Sequence, residues 1–226
     1  MESNGVCSFC GKTFSKAAMS KHLDSCWQRK AASAAALGPK TKYFHLVVEG
    51  RYLPEYWMHL QVRADAQLRK LDDFLRGIWL ECCGHLSAFT IEDQRYVSEV
   101  IKHPLFNLEP EKGMGIKIRT VLKPKTKFTY EYDFGTTTEL NLRVISERTD
   151  QSGKEPVHLM ARNTPPPITC NVCKKPATQV CAQCIWEGEG WLCDACARKH
   201  KCGEEMLLPV VNSPRVGMCG YTGAAE

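Results

Sequence analysis

Residues 43–79 read YFHLVVEGRYLPEYWMHLQVRADAQLRKLDDFLRGIW, and both periods of a mixed fold occur within them. The segments 43–50 (YFHLVVEG) and 56–63 (YWMHLQVR) alternate as strands. From residue 66 the spacing becomes helical, because Leu68, Leu71, Phe74, Leu75, Ile78 and Trp79 fall on one face of a helix over 66–81. The run HLSAFTIEDQRYVS (85–98) returns to strand, and KFTYEYDFGTTTELNLRVIS (127–146) predicts a hairpin turning near Gly135. The expected class is α+β: a helix on a mixed, mainly antiparallel sheet over residues 43–162.

The flanks differ in character. Of 226 residues 43% are apolar, enough for one sizeable core with small appendages. The thirteen cysteines are unevenly placed: three in the first 26 residues, the pair Cys82 and Cys83, and eight after residue 169. MESNGVCSFC (1–10) lacks a basic stretch followed by an apolar one, and no window approaches about 18 uninterrupted apolar residues. A cytoplasmic protein without a membrane span is therefore expected. In a reducing cytosol disulfides are disfavoured, so metal binding is the leading explanation of the cysteines. Two linkers bound the middle: an alanine-rich, basic helical segment over 31–42, stopped by Gly38 and Pro39, and the stiff proline-rich 163–169 (NTPPPIT).

In residues 1–30 the spacing is Cys7-x2-Cys10-x11-His22-x3-Cys26. A Cys-x-x-Cys knuckle offers two thiolates from one tight turn, and a His and a Cys four apart share a helix face, so four ligands can close a tetrahedron on zinc. Phe14 and Met19 supply the small apolar core. These residues resemble the C2HC-type relative of the classical zinc finger. That geometry would aim Ser15, Ala18 and Lys21 at bases, and only Lys21 suits the task. Residues 1–42 hold seven Lys or Arg against Glu2 and Asp24, so the whole formal net charge of +5 sits there. Lys12, Lys16, Lys21, Arg29 and Lys30 are accordingly either a nucleic-acid contact set or a solvated helix face.

Residues 170–222 carry Cys170-x2-Cys173-x7-Cys181-x2-Cys184-x8-Cys193-x2-Cys196-x3-His200, with Cys202 and Cys219 beyond. Redox dithiols usually stand singly on a βαβ pattern, which is missing here, whereas repeated knuckles with a trailing histidine suit two zinc sites. The order resembles the B-box type of cross-braced module. That resemblance implies that Cys170, Cys173, Cys193 and Cys196 share one ion, and that Cys181, Cys184, His200 and one further cysteine hold another. Cys202, only two residues past His200, is cramped unless the helix has ended, so Cys219 is the expected ligand and Cys202 the alternative. Trp186 and Trp191 are expected to form a lid over the metal sites. Three zinc ions with ten bound thiolates take the formal charge to about +1, so global basicity is no argument for nucleic acid.

In the middle, LDDFLRGIWLECCGHLSAFTI and FTYEYDFG resemble the Ri-plasmid ORF-three-like family over about residues 41–160, with Tyr132, Asp133, Phe134 and Gly135 the most specific stretch. The resemblance implies a small α+β domain often encoded near mobile elements and sometimes labelled a transposon passenger or resolvase-like protein. Members usually continue with an acidic residue, a tryptophan and a histidine, where this chain has Thr136, Thr137, Thr138, Glu139 and Leu140. The triplet Asp133-Phe134-Gly135 lacks the other kinase motifs and is expected to form a turn. Ser98, Ser146 and Ser152 lack the arginine company of a resolvase nucleophile. Cys82, Cys83 and His85 read first as small buried residues. Their alternatives are a nucleophile and base or, with His103, a further metal site. The expected function is that of a non-enzymatic zinc-binding interaction or regulatory protein, associated with a mobile element and engaging a protein partner. The alternatives are a nucleic-acid-binding accessory protein using the basic finger and arm, and an enzyme using Cys83 and His85.

Overall fold

The computed structural model describes residues 3–100, 111–151 and 153–224. The chain forms two compact units, one of Met1–Phe74 with Leu86–Thr164 and one of Leu75–His85 with Pro165–Glu226. His103 and Ser152 lie outside the described residues.

The first unit is built on β1 (Asn4–Cys7), β2 (Thr13–Ser15), β3 (Lys40–Gly50), β4 (Trp57–Arg63), β5 (Ser87–Ile91), β6 (Gln94–Val97), β7 (Lys112–Gly113), β8 (Lys127–Tyr132), β9 (Thr138–Gln151) and β10 (Val157–Asn163). They form one sheet in the order β2-β1-β10-β4-β3-β9-β8-β5-β6-β7, antiparallel throughout except for the parallel pair β6 and β7. The mixed, mainly antiparallel α+β class expected from periodicity is the one observed. Central β3 and β4 pair Phe44 with Val62, Leu46 with Leu60 and Val48 with Met58. Both strands are buried along most of their length, which explains why their sequences run apolar rather than strictly alternating. The hairpin of β8 and β9 turns where expected. Asp133 takes a positive φ of 65°, and its Oδ1 accepts from the backbone N–H of Gly135 (3.0 Å) and Thr136 (3.2 Å). This is the self-bonding turn that Asp supports.

Helix α3 (Leu68–Leu75) buries Leu68, Leu71 and Leu75. Its buried Asp72 accepts from Ser87 Oγ (2.6 Å) and Tyr130 Oη (2.8 Å), so a carboxylate in the core is satisfied by strand hydroxyls. The predicted helix face ran on to Trp79, but the α-helical ladder ends at Leu75 and a π turn follows over Arg76–Leu80. The Glu81 N–H bonds the Arg76 carbonyl at 2.8 Å, and the wider turn puts Trp79 and Leu80 both in the interior. Across β3 and β4, His45 Nε2 and His59 Nδ1 lie 2.8 Å apart, and both rings are fully buried. Burial pushes His45 down to about 3 and His59 down to about 4, so the pair is neutral and one ring donates to the other.

Helices α1 (Lys16–Ser25) and α2 (Trp27–Ala34) complete this unit, with the Ser15 hydroxyl accepting from Ala18 N–H at the start of α1. The finger is not a bead on a string. Strand β1 pairs with β10, matching Val6 to Arg162 and Cys7 to Ala161, and so extends the sheet. Cys7, Met19, Leu23 and Cys26 share one cluster with Trp57, Met160 and Ala161 of the sheet, and Phe14 packs against it.

The second unit contains β11 (Gln179–Cys181), β12 (Trp191–Leu192) and β13 (Leu207–Pro209) in the order β12-β11-β13, with the short helix α4 (Asp194–Ala197). Cys170, Leu192, Cys193 and Ala197 form its small core. Residues 213–221 pack as a second nucleus in which Arg215, Val216, Tyr221 and Trp79 are buried. Among the described residues no helix is long and apolar enough to cross a membrane.

Candidate metal centres

In the first unit the backbone reverses between Cys7 and Lys12. Gly11 N–H bonds the Cys7 carbonyl (2.9 Å), Cys7 N–H bonds that of Lys12 (3.0 Å), and Gly11 takes a φ of 70°. This knuckle faces α1, which carries His22, and the helix ends at Cys26. Cys10 Sγ lies 3.4 Å from His22 Nε2, and the four ligand atoms of Cys7, Cys10, His22 and Cys26 all fall within 4.8 Å of one another. Phe14 stacks on the His22 ring with centroids 4.1 Å apart and fixes its orientation. Burial, then the charge of Lys12, lowers the His22 pKa and favours the neutral imidazole that a metal requires.

In the second unit two interleaved sets gather: Cys170, Cys173, Cys193 and Cys196, and Cys181, Cys184, His200 and Cys202. Cys173 Sγ and Cys193 Sγ are 3.5 Å apart, Cys184 Sγ is 3.5 Å from His200 Nε2, and Cys184 Sγ is 3.6 Å from Cys202 Sγ. A tetrahedral site with Zn–S of about 2.3 Å and Zn–N of about 2.0 Å has ligand edges of roughly 3.5–3.8 Å, so these spacings suit zinc. N–H groups of the knuckles, that of Cys173 foremost, lower Cys170 to about 6 despite burial. Burial raises Cys181, but the N–H groups of Cys184 and Gln183 outweigh it and bring the thiol to about 7. Cys184, crowded first by Cys202 and then by Cys181, is pushed up to about 12, and Cys196, crowded first by Cys173, also to about 12. Each set thus mixes thiols ready to ionise with one that cannot join them as a bare anion, and a dication removes that conflict.

The companion of His200 is Cys202, where the sequence favoured Cys219. Helix α4 has ended at Ala197, His200 N–H closes a turn on the Ala197 carbonyl (2.9 Å), and Gly203 follows at a φ of 85°. The spacing of two that is cramped on a helix is workable on this turn. Cys219 stands instead with Cys82, Cys83 and His85. Those three are half-buried or exposed, not the small buried residues expected. The tryptophan lid is not found either. Trp186 is 63% exposed, and half-buried Trp191 is tied through its backbone N–H to Asn171 Oδ1 (2.7 Å).

The basic candidates divide. Lys12, Lys21 and Lys30 are exposed. Lys16 pairs with Glu49 at 2.5 Å. Arg29 is only 6% exposed, donating from Nε to the Leu23 carbonyl (2.6 Å) and facing Asp150 Oδ2 at 3.5 Å. Ser15, one of the residues the classical finger geometry would aim at bases, spends its hydroxyl on capping α1.

The family model described as "Plasmid pRiA4b ORF-3-like protein" matches residues 46–175 of this chain. A crystal structure of a protein of unknown function from Methanosarcina mazei Go1 is similar at a TM-score of 0.45 and 17% identity, over 54% of this chain and 69% of that one. No curated protein matches the chain.

Proposed function

The chain belongs to the plasmid pRiA4b ORF-3-like protein family, whose model spans more than half of it, and from that premise we propose that it is a non-enzymatic zinc-binding interaction protein. The observation that carries this reading is the completeness of three Cys/His sets, Cys7 with Cys10, His22 and Cys26, Cys170 with Cys173, Cys193 and Cys196, and Cys181 with Cys184, His200 and Cys202. Each has four protein ligands at tetrahedral spacing, so a bound zinc would keep no open position for water or substrate. Zinc then serves to fold small modules that their own apolar area cannot stabilise. The chemistry left to the molecule is recognition, and the family's plasmid association suggests an accessory role for a mobile element. On the second unit Trp186 and Val172, 63% and 70% exposed, supply apolar contact area of the kind that protein partners use.

Cobalt substitution tests the closed coordination. Full-length protein reconstituted with cobalt(II) should show the intense visible absorption of four-coordinate, thiolate-rich sites, unaltered by added cyanide or azide. A spectrum that shifts on adding either ligand means an open position and overturns the non-enzymatic reading. Salt-dependent binding of a duplex, lost when Lys12, Lys21 and Lys30 are replaced by glutamate, would favour the nucleic-acid alternative instead.

A further inference from the structure

A fourth constellation lies in the second unit, made by Cys82, Cys83 and His85 with Cys219, the cysteine that the sequence favoured as companion of His200. Cys83 Sγ is 3.5 Å from Cys82 Sγ, 3.6 Å from Cys219 Sγ and 2.9 Å from His85 Nε2, and that nitrogen is 3.3 Å from Cys219 Sγ. The four ligand atoms fall within the same 4.8 Å limit as those of the other sets, and no pair is bonded as a disulfide. The backbone on both sides is built to hold this arrangement. Gly84, at a φ of 78°, reverses the chain between Cys83 and His85, and its N–H is fixed on the Glu81 carboxylate (2.6 Å), itself held by Arg76. Opposite, Cys219 takes a φ of 46° between Gly217 and Gly220, a conformation disfavoured for a side-chain-bearing residue by about 1 kcal/mol or more. The tail is pinned by Ser213 Oγ donating to the Trp79 carbonyl (2.6 Å) and by the Arg215 N–H on Ser213 Oγ (2.9 Å).

We propose that Cys82, Cys83, His85 and Cys219 bind a fourth zinc ion, as a Cys3His clasp that fastens residues 213–221 to the turn at 76–85. Zinc with three thiolates carries a net charge of −1, and the molecule supplies the counter-charge. The fully buried Arg215 places Nη2 3.4 Å from Cys82 Sγ, an outer-shell donor to a ligand sulfur. A nucleophile and base made of Cys83 and His85 fits less well, because Cys83 Sγ has the sulfurs of Cys82 and Cys219 beside it at 3.5 and 3.6 Å, and three thiols gathered at one point are what a cation, and not a lone histidine, holds together. Cys83 and Cys219 are exposed, and this is the one set of the four with no buried ligand. Its ion is therefore the first to exchange with a chelator, and its loading decides whether the tail is ordered.

The test uses full-length protein purified under reductant. Elemental analysis should return four zinc ions per chain, and Cys83→Ser should return three. In Cys83→Ser the amides of Val216, Met218 and Tyr221, hydrogen-bonded within the tail, should lose their exchange protection while those of Cys170 and Cys181 keep theirs. Graded chelation of the unmodified protein serves as the second arm, and the first ion removed should release the same three amides. Three ions in the unmodified chain with no further loss in Cys83→Ser overturns the fourth site. A tail that stays protected after loss of that ion overturns the clasp. Neither result touches the three other sets, whose occupancy is counted separately through Cys10→Ser, Cys173→Ser and Cys184→Ser.

Discussion

Arg29 has two roles, one in the one-dimensional charge pattern and another in the fold. Along the chain it is one of seven cations in residues 1–42 and reads, with Lys12, Lys16, Lys21 and Lys30, either as a nucleic-acid contact or as part of a solvated helix face. In the fold its guanidinium is buried, bonded to the carbonyl of Leu23 and paired with Asp150 on β9, so it joins the end of α1 to the sheet. Removing a buried charged donor strands its acceptors without water. Arg29→Ala should therefore cost roughly 2–3 kcal/mol, whereas Lys21→Ala and Lys30→Ala should stay within about 0.5 kcal/mol. Urea titration followed by hydrogen exchange on β9 and β10 reads the difference, and equal effects for the three variants would contradict the buried role. Cys202 makes the same point about context. Its unsuitability was a helical argument, and it lapsed because α4 stops at Ala197.

Among the elements, β1 is the most informative. Its four residues carry the first knuckle cysteine, and they also bond to β10, so a candidate metal ligand and the sheet pairing occupy the same strand. Gly5 permits this. A Cβ there would run into the Arg162 carbonyl and come within 2.5 Å of the Trp57 ring. Gly5→Ala should lift β1 from β10, with an overpacking cost of about 1–3 kcal/mol, and should weaken zinc binding at Cys7, Cys10, His22 and Cys26 in step. Competition with a chromogenic chelator measures the affinity. Unchanged zinc affinity in a variant with lost β1 protection would show that the finger folds without the sheet. The π turn over Arg76–Leu80 is the other element that periodicity misjudged. A heptad-like spacing of apolar residues fits α and π turns nearly equally over five residues, and only the surroundings of Trp79 and Leu80 choose between them.

At the scale of the molecule, the interleaving of Cys170, Cys173, Cys193 and Cys196 with Cys181, Cys184, His200 and Cys202 means that each site closes a loop containing part of the other. Structural zinc contributes on the order of 10 kcal/mol to so small a module. Cys173→Ser should therefore expose not only its own knuckle but also residues 178–181 and 193–200 to exchange, while the central strands β3, β4, β8 and β9, which form part of the other unit with its own core, stay protected. Loss confined to residues 170–175 would mean that the two sites fold independently. Much of this architecture was legible in the chain. The strand and helix periods, the turn at Asp133, the Cys7-Cys10-His22-Cys26 spacing and the Cys-x-x-Cys knuckles of the second unit follow from short-range rules, because strand and helix periodicity, self-bonding turn residues and knuckles are local properties of a few neighbouring residues. How those knuckles pair was implied by the B-box resemblance, and the place of Cys202 beside His200 came from the fold. What only the tertiary structure decided involves partners far apart in sequence: β1 on β10, Arg29 on Asp150, and Cys219 beside Cys83 across 136 residues. No local spacing encodes such meetings. They are selected by burial of shared apolar surface and by the need to satisfy every buried polar group, and both are properties of the closed molecule alone.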